Sequence, residues 1–454
     1  MTRSLFPKTL PIRRSALAVV LLGAILPGFG QVEPTATGGT PLTETDQPMN
    51  TPPPVGGTPY PSQTASDARS NFLAFGVGST LAYFDNVEIG ISTQPVADEM
   101  YTISPVLTYN RETPRQSRIF SYSSGYTFYQ HTTALDYVNQ AATGTFQERF
   151  TRHVTLNLSD TFAQSSGLLS QSSVLNGGVI SGSVSGQQPL VIVPFANELT
   201  NIANAELSDQ FAQNGMLGAS FNAATLTFPN PSQAVGLDNS QLYGGTAFVN
   251  RRFSQTDYLG AIYQIQRMTT SPTPSATTVQ TLWGYFTHYF GRTASLSVVA
   301  GPSRASISAP GATPYQTWTP AGTLSMGWQA ARANLAFSYM HSTMPTLGFP
   351  GLYSNDAGSI SATQRFGKMW TASVSGSYGN FSNQDPQIAS GLPGGHTAMG
   401  SASVQHAFGT SLSTQLGYTR LHASYGGIAA FTQNPNSDEF FVSLSYQFRK
   451  AIGR

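Results

Sequence analysis

Seven histidines, His131, His153, His288, His341, His396, His406 and His422, are the side chains of this sequence best suited to ligating a metal or relaying a proton. No two of them share the short spacing of a metal-ligand motif such as HExxH, and they scatter over segments of different character. No metal site is therefore expected. A serine nucleophile needs a base beside it, and Ser303 with His341, or Ser401 with His406, supply the residue types. Neither pair carries a surrounding motif, and serine is so frequent here that chance brings it near histidine. The chain has no cysteine, which removes thiolate catalysis, cysteine metal sites and disulfides. Tyr243-Gly244-Gly245 lacks the lysine and helix of a phosphate loop and reads as strand glycines at a bend or close approach. Asp85 and Asn86, with Asp98 and Glu99 across a loop, have the chemistry to hold a cation, but Asp and Asn favour turns in any case. The expectation is a protein that is not an enzyme, with no catalytic, cofactor-binding or metal residues.

The elements that carry these residues explain why none of them forms a site. Charged residues make up 9% of the 454, against about 25% in soluble domains. Glycine (44), phenylalanine (27) and tyrosine (20) are abundant. A surface facing water needs charge, whereas one facing hydrocarbon must avoid it. Beyond the N-terminus no stretch approaches the ~18 apolar residues of a membrane-spanning helix. The remaining way to cross a bilayer with every backbone amide paired is a closed barrel. A net charge of +1, without a lysine or arginine stripe, argues against a nucleic-acid partner. It also predicts a pore of weak charge preference, unless the few charges gather inside it.

The N-terminus carries Arg3, Lys8, Arg13 and Arg14, then an uncharged run from Ser15 to Leu26, then Gly28-Phe29-Gly30. This is the pattern of a secretory signal peptide over residues 1–30, too short to remain as a membrane helix. Residues 31–70 form a Pro/Thr/Gly tract, including Pro52-Pro53-Pro54, that cannot bury a core and reads as a disordered periplasmic arm.

From Asn71 onward, segments of about 10 to 14 residues alternate apolar and small polar positions, the signature of strands with lipid on one face and a polar lumen on the other. Phe440, Val442, Leu444, Tyr446 and Phe448 fall on one face, with Phe441, Ser443, Ser445 and Gln447 on the other. Val154, Leu156, Leu158 and Phe162 oppose Thr155, Asn157 and Ser159 in the same way. Short connections such as Phe290-Gly291-Arg292-Thr293, Arg365-Phe366-Gly367-Lys368 and Phe408-Gly409-Thr410 combine an interfacial aromatic with a residue fit for a tight hairpin. They alternate with longer polar connections, among them Val87 to Asp98, Ser165 to Leu199, Pro229 to Asn239, Pro345 to Asn355 and Gly426 to Ser437. Short periplasmic turns and long outer loops are the asymmetry of an outer-membrane barrel.

Counting gives about 18 strands, within a range of 16–20, in an all-β antiparallel up-and-down barrel over residues 71–454 with both termini on the periplasmic side. Strand starts fall near Asn71, Glu99, Gln116, Val138, Arg152, Leu199, Asn214, Asn239, Gln255, Ser275, Arg292, Tyr315, Arg332, Asn355, Lys368, Gly395, Thr410 and Ser437. A barrel of this size leaves an aqueous channel. The loop from Ser165 to Leu199 then either folds inward as a constriction or lies over the mouth.

Two further stretches are distinctive. Residues 76–87 read GVGSTLAYFDNV, followed by MYTISPVLTY over 100–109, and residues 146–166 read FQERFTRHVTLNLSDTFAQSS. This order resembles the β-barrel porin family of outer-membrane proteins, whose substrate is open. The resemblance implies a barrel in the cell outer membrane and a porin-like role. Outer-membrane lipid and lipopolysaccharide are the expected surroundings, a homo-oligomer stays open, and the barrel-assembly machinery would read the last strand through Tyr446 and Phe448. One departure is that the chain continues from Phe448 through Arg449 to Arg454. Two alternatives to passive passage of small polar solutes are export of a polysaccharide or other polymer, and a non-transporting envelope element.

Overall fold

The computed structural model describes residues 71–452 apart from 90–91, 166–196, 231–233, 235–236, 292, 312, 386–393, 410 and 427–433. Residues 1–30, read as a signal peptide, residues 31–70, read as an arm, and most of the loop from Ser165 to Leu199 lie outside the described residues.

Eighteen strands follow one another: β1 (Phe72–Phe84), β2 (Asp98–Glu112), β3 (Gln116–Tyr129), β4 (Tyr137–Arg149), β5 (Val154–Ser165), β6 (Glu198–Ala212), β7 (Gly215–Thr227), β8 (Asn239–Arg252), β9 (Asp257–Ser271), β10 (Ser275–Phe290), β11 (Ala294–Ser308), β12 (Tyr315–Gln329), β13 (Ala333–Met344), β14 (Tyr353–Phe366), β15 (Trp370–Asn383), β16 (Gly394–Phe408), β17 (Leu412–Gly426) and β18 (Asn436–Ala451). Each begins within two residues of the start read from the alternation. Each pairs antiparallel with its neighbours in sequence, and β18 pairs with β1 along its length, from Phe72 opposite Ala451 to Phe84 opposite Glu439. The sheet has no open edge, so the backbone hydrogen bonds of the wall are internal, as a hydrocarbon surrounding demands. This is the up-and-down barrel that the resemblance implies.

Two sequence features make the wall. Tight hairpins form where glycine takes the left-handed conformation that a side chain resists: φ is 69° at Gly291 and 68° at Gly367. The period-two pattern then divides the wall. Leu73, Phe75, Val77, Leu81 and Tyr83 point outward and are exposed, as are Phe440, Val442, Leu444, Tyr446 and Phe448 next to them. Exposed aromatics also mark the short turns: Phe150, Phe211, Phe253, Phe290, Phe366, Trp370 and Phe408 form a girdle at the periplasmic rim. Around the inside, strand glycines give room to rings from the next strand. A Cβ on Gly218 would collide with the Phe248 ring, and one on Gly260 with the Tyr285 ring. Phe248, Tyr285, Met216, Ile262, Trp283, Val299 and Ala321 thereby pack as one apolar patch on the inner wall of β7–β12.

An outward acid in the middle of a strand breaks the pattern. Asp160 follows Leu158 and precedes Phe162 on the lipid-facing side of β5, and it is exposed like them. It accepts a hydrogen bond of 3.0 Å from Asn201 on β6. A carboxylate placed there costs stability in proportion to its depth in the bilayer. Replacing Asp160 with Ala should stabilise the membrane-inserted barrel by about 1–2 kcal/mol, read as a higher urea midpoint in vesicles. An unchanged or lower midpoint would mean that Asp160 does not face hydrocarbon.

Candidate functional site

The interior has two regimes. Along much of its height the wall is hydroxyl-lined, because the small polar residues of each strand meet across the ladder: Thr281 with Ser303 at 2.9 Å, Thr287 with Ser297 at 2.9 Å, Ser338 with Ser359 at 2.8 Å, Ser375 with Ser401 at 2.7 Å and Ser413 with Ser445 at 2.7 Å. Such pairs satisfy each other's donors and acceptors within the wall.

The outer mouth is different. The connection from β13 to β14 does not extend into solvent. Every residue from Pro345 to Leu352 is buried or half-buried, with Phe349 at 1% exposure and Leu352 at 0%. Four hydrogen bonds hold it inside. The Gly348 amide donates to Ser240 Oγ at 2.9 Å and the Asp238 amide to the Gly348 carbonyl at 2.9 Å. Thr277 Oγ1 donates to the Gly351 carbonyl at 3.1 Å, and the Gln384 amide to the Leu352 carbonyl at 2.8 Å. The loop thus spans from β13 and β14 to the outer ends of β8 and β10. Around Phe349 gather Leu226 and Phe228 from the end of β7, Tyr353, Phe381, Leu421, and Ile89 from the connection after β1. These residues come from well-separated parts of the ring, so the cluster crosses the mouth. Burial pushes the Asp238 carboxyl up, opposed by hydrogen bonds from Thr273.

Charge is sorted along the axis of the interior. On inward-facing positions Asp98, Glu198 and Glu439 stand at the outer end. Arg149, Arg252, Arg365 and Arg449 stand at the periplasmic end, with Glu112 the one acid beside them among the described strand residues. The Arg449 guanidinium lies 4.0 Å from the centre of the Phe72 ring, and Arg252 Nε donates to the Ser254 carbonyl at 3.0 Å. The inward-facing charges thus form two groups of opposite sign at the two ends, with Glu206 buried between them.

The residues that the sequence offers for chemistry are dispersed by the wall itself. Ser303 faces inward against Thr281, whereas His341 faces outward with its Nδ1 2.9 Å from Asp356 Oδ1. Ser401 likewise faces inward, and His406 lies outside against the Trp370 ring. Asp85, Asn86, Asp98 and Glu99 do not converge on a cation. Asp98 accepts from the amide and hydroxyl of Thr132 and the amide of His131, binding the β3–β4 connection; Asp85 accepts from the Asp438 amide; Asn86 donates to the Asn434 and Asn436 carbonyls. Gly244 leaves the space occupied by the Asn222 side chain, a close approach. One pair that sequence spacing concealed is His396 and His422, whose Nε2 atoms lie 3.2 Å apart across β16 and β17. Among the described residues no three His, Asp or Glu gather as a metal site.

A closed antiparallel barrel with an apolar exterior, an aromatic girdle and a polar interior is a transmembrane β-barrel of the outer-membrane type. No protein-family model matches the sequence, and no curated protein matches it. Among solved structures it is similar to OccAB4 of Acinetobacter baumannii, at 12% identity and TM-score 0.42 over 85% of this chain and 100% of that one. It is also similar to OpdO of Pseudomonas aeruginosa, at 11% identity and TM-score 0.43 over 84% and 97%, and to OccK2 (OpdF) of the same organism, at 10% and 0.43 over 84% and 98%.

Proposed function

We propose that the protein is a porin-like channel of the outer membrane that passes small polar solutes passively, through a pore narrowed at its outer mouth by the β13–β14 loop. The observation that supports this most directly is an interior lined by paired hydroxyls inside a wall of eighteen strands. At a strand spacing of about 4.8 Å and a tilt of about 40°, such a ring is roughly 35 Å across its backbone. Side chains alone do not fill that width, and the inward loop restricts only one end of it. A polymer exporter would be served poorly by a mouth crossed by the Phe349 cluster.

Purified protein in a planar bilayer should give discrete conductance steps, and liposomes containing it should swell in isotonic sugars below a size limit. Bilayers that stay silent although the barrel is inserted, as shown by its resistance to external protease, would leave an envelope-structural role.

A further inference from the structure

We infer that the outward face of β9–β12 is a binding site for the phosphorylated headgroup of an outer-leaflet glycolipid, with Arg267 and Arg304 as its phosphate ligands. The inference goes beyond the channel reading and rests only on the barrel's orientation in the membrane.

Arg267 shares the outward face of β9 with Leu259, Tyr263 and Ile265, and Arg304 shares that of β11 with Val298; all are exposed. Each arginine stands ten positions above the periplasmic start of its strand, Asp257 for Arg267 (267 − 257) and Ala294 for Arg304 (304 − 294). At about 3.3 Å per residue and a tilt of about 40°, ten residues rise roughly 25 Å, the height of the apolar band of such barrels. Both guanidinium groups therefore reach the outer edge of the hydrocarbon, where the polar heads begin and where a cation costs little.

Their neighbours are those of a headgroup site. Strand register places Arg267, Thr278, Ser306 and Gln316 in one row across β9, β10, β11 and β12. The row beneath runs Ile265, Gln280, Arg304, Trp318. Arg304 donates to Gln316 Oε1 at 2.9 Å, which fixes the plane of its fork. Trp318 is 68% exposed beside it, the residue type that anchors at a membrane interface. The two arginines are two strands apart, about 10 Å, a gap that their side chains span around one phosphorylated head. Guanidinium matches phosphate by paired N–H donors, which ammonium cannot do.

The rest of the outer rim is arranged differently. Its outward acids hold tyrosine hydroxyls: Tyr101 donates to Glu99 at 2.9 Å, Tyr339 to Asp356 at 2.8 Å and Tyr418 to Asp438 at 2.6 Å. Arg420 at this rim pairs with Asp438. Among the described residues, none of the ion pairs includes Arg267 or Arg304. The unneutralised positive charge of the rim is thus concentrated on β9–β12, facing a leaflet whose heads are anionic.

The test uses the full mature barrel in mixed vesicles with bisphosphorylated lipid A, fully dephosphorylated lipid A, or inorganic phosphate without either. Native mass spectrometry should show a retained molecule of the phosphorylated lipid on the wild type. The double variant Arg267→Gln/Arg304→Gln should lose at least about tenfold in retention, while Arg251→Gln, at the periplasmic rim, should lose none. Gln316→Ala keeps both charges and serves if the double variant fails to insert; it should weaken retention to an intermediate degree. Equal retention of dephosphorylated lipid, undiminished retention in the double variant, no effect of Gln316→Ala when it is the only folded variant, or displacement of the lipid by millimolar free phosphate would each overturn the assignment. Conductance plays no part in the readout, so a silent barrel that still binds the lipid separates this inference from the channel reading.

Discussion

Replacing residues 345–352 by a short glycine-serine link should raise the single-channel conductance roughly threefold or more, because it removes the segment that narrows an otherwise wide ring. The magnitude follows from geometry. Resistance of a pore is concentrated at its narrowest section, and the described interior is crossed at the outer mouth by Phe349 and its neighbours. The substitution also removes four hydrogen bonds, through Gly348, Gly351 and Leu352, to Ser240, Asp238, Thr277 and Gln384. Those contacts belong to the loop and not to the ladder, so the barrel should still insert and resist denaturation by detergent at room temperature. A milder variant, Phe349→Ala, should give a smaller increase with larger current noise, as a loop that loses its central ring holds its anchors less firmly. If the shortened channel conducts like the wild type, the loop does not set the constriction and the narrow section lies deeper.

The wall was legible in the sequence and the mouth was not, for a physical reason. A strand facing lipid on one side and water on the other must alternate at every second residue, so Phe440 to Phe448 declare their face without reference to any other part of the chain. Hairpin turns are equally local, as at Gly291 and Gly367. The inward course of 345–352 depends instead on partners more than a hundred positions away, Ser240 being 108 residues from Gly348. Its residues, Pro-Thr-Leu-Gly-Phe-Pro-Gly-Leu, differ from an outer loop in being apolar, and that was the available signal. The loop expected to decide the pore, Ser165 to Leu199, is largely outside the described residues; among the described residues it is 345–352 that turns inward at the mouth. His396 and His422 meet for the same non-local reason: cross-strand register, not sequence spacing, brings them together. Asp160 is the reverse case. Its place on the Leu158–Phe162 face was readable from parity alone, and only the habit of reading alternation as apolar against polar passes over it.

Neutralising the periplasmic arginines, Arg149, Arg252, Arg365 and Arg449 to Gln, should turn a channel that favours anions into one that favours cations. Composition alone predicts little selectivity from a net charge of +1. The fold changes that expectation by sorting the inward-facing charges: arginines at one end of the interior, Asp98, Glu198 and Glu439 at the other, and Glu206 buried between them. Of the acids, Asp98 is consumed by five hydrogen bonds from Glu99, His131 and Thr132, and Glu198 accepts from Ser165 at 2.9 Å. The periplasmic arginines should therefore dominate the field that a permeating ion meets at low salt. Fixed charge on a wide wall acts over the Debye length, about 30 Å at 0.01 M salt, about 10 Å at 0.1 M and about 3 Å at 1 M. The reversal potential across a salt gradient should accordingly show clear anion preference at 0.01 M that fades by 1 M, and in the quadruple variant the sign should invert at the low end, where the outer acids are left unopposed. Arg449 also lies against the Phe72 ring, so its replacement alone should cost some stability where β1 meets β18. A triple variant that spares Arg449 keeps the seam intact and should still lose most of the anion preference. A wild-type channel without anion preference at 0.01 M, or a quadruple variant of unchanged selectivity, would show that the arginine side chains do not govern the permeation path.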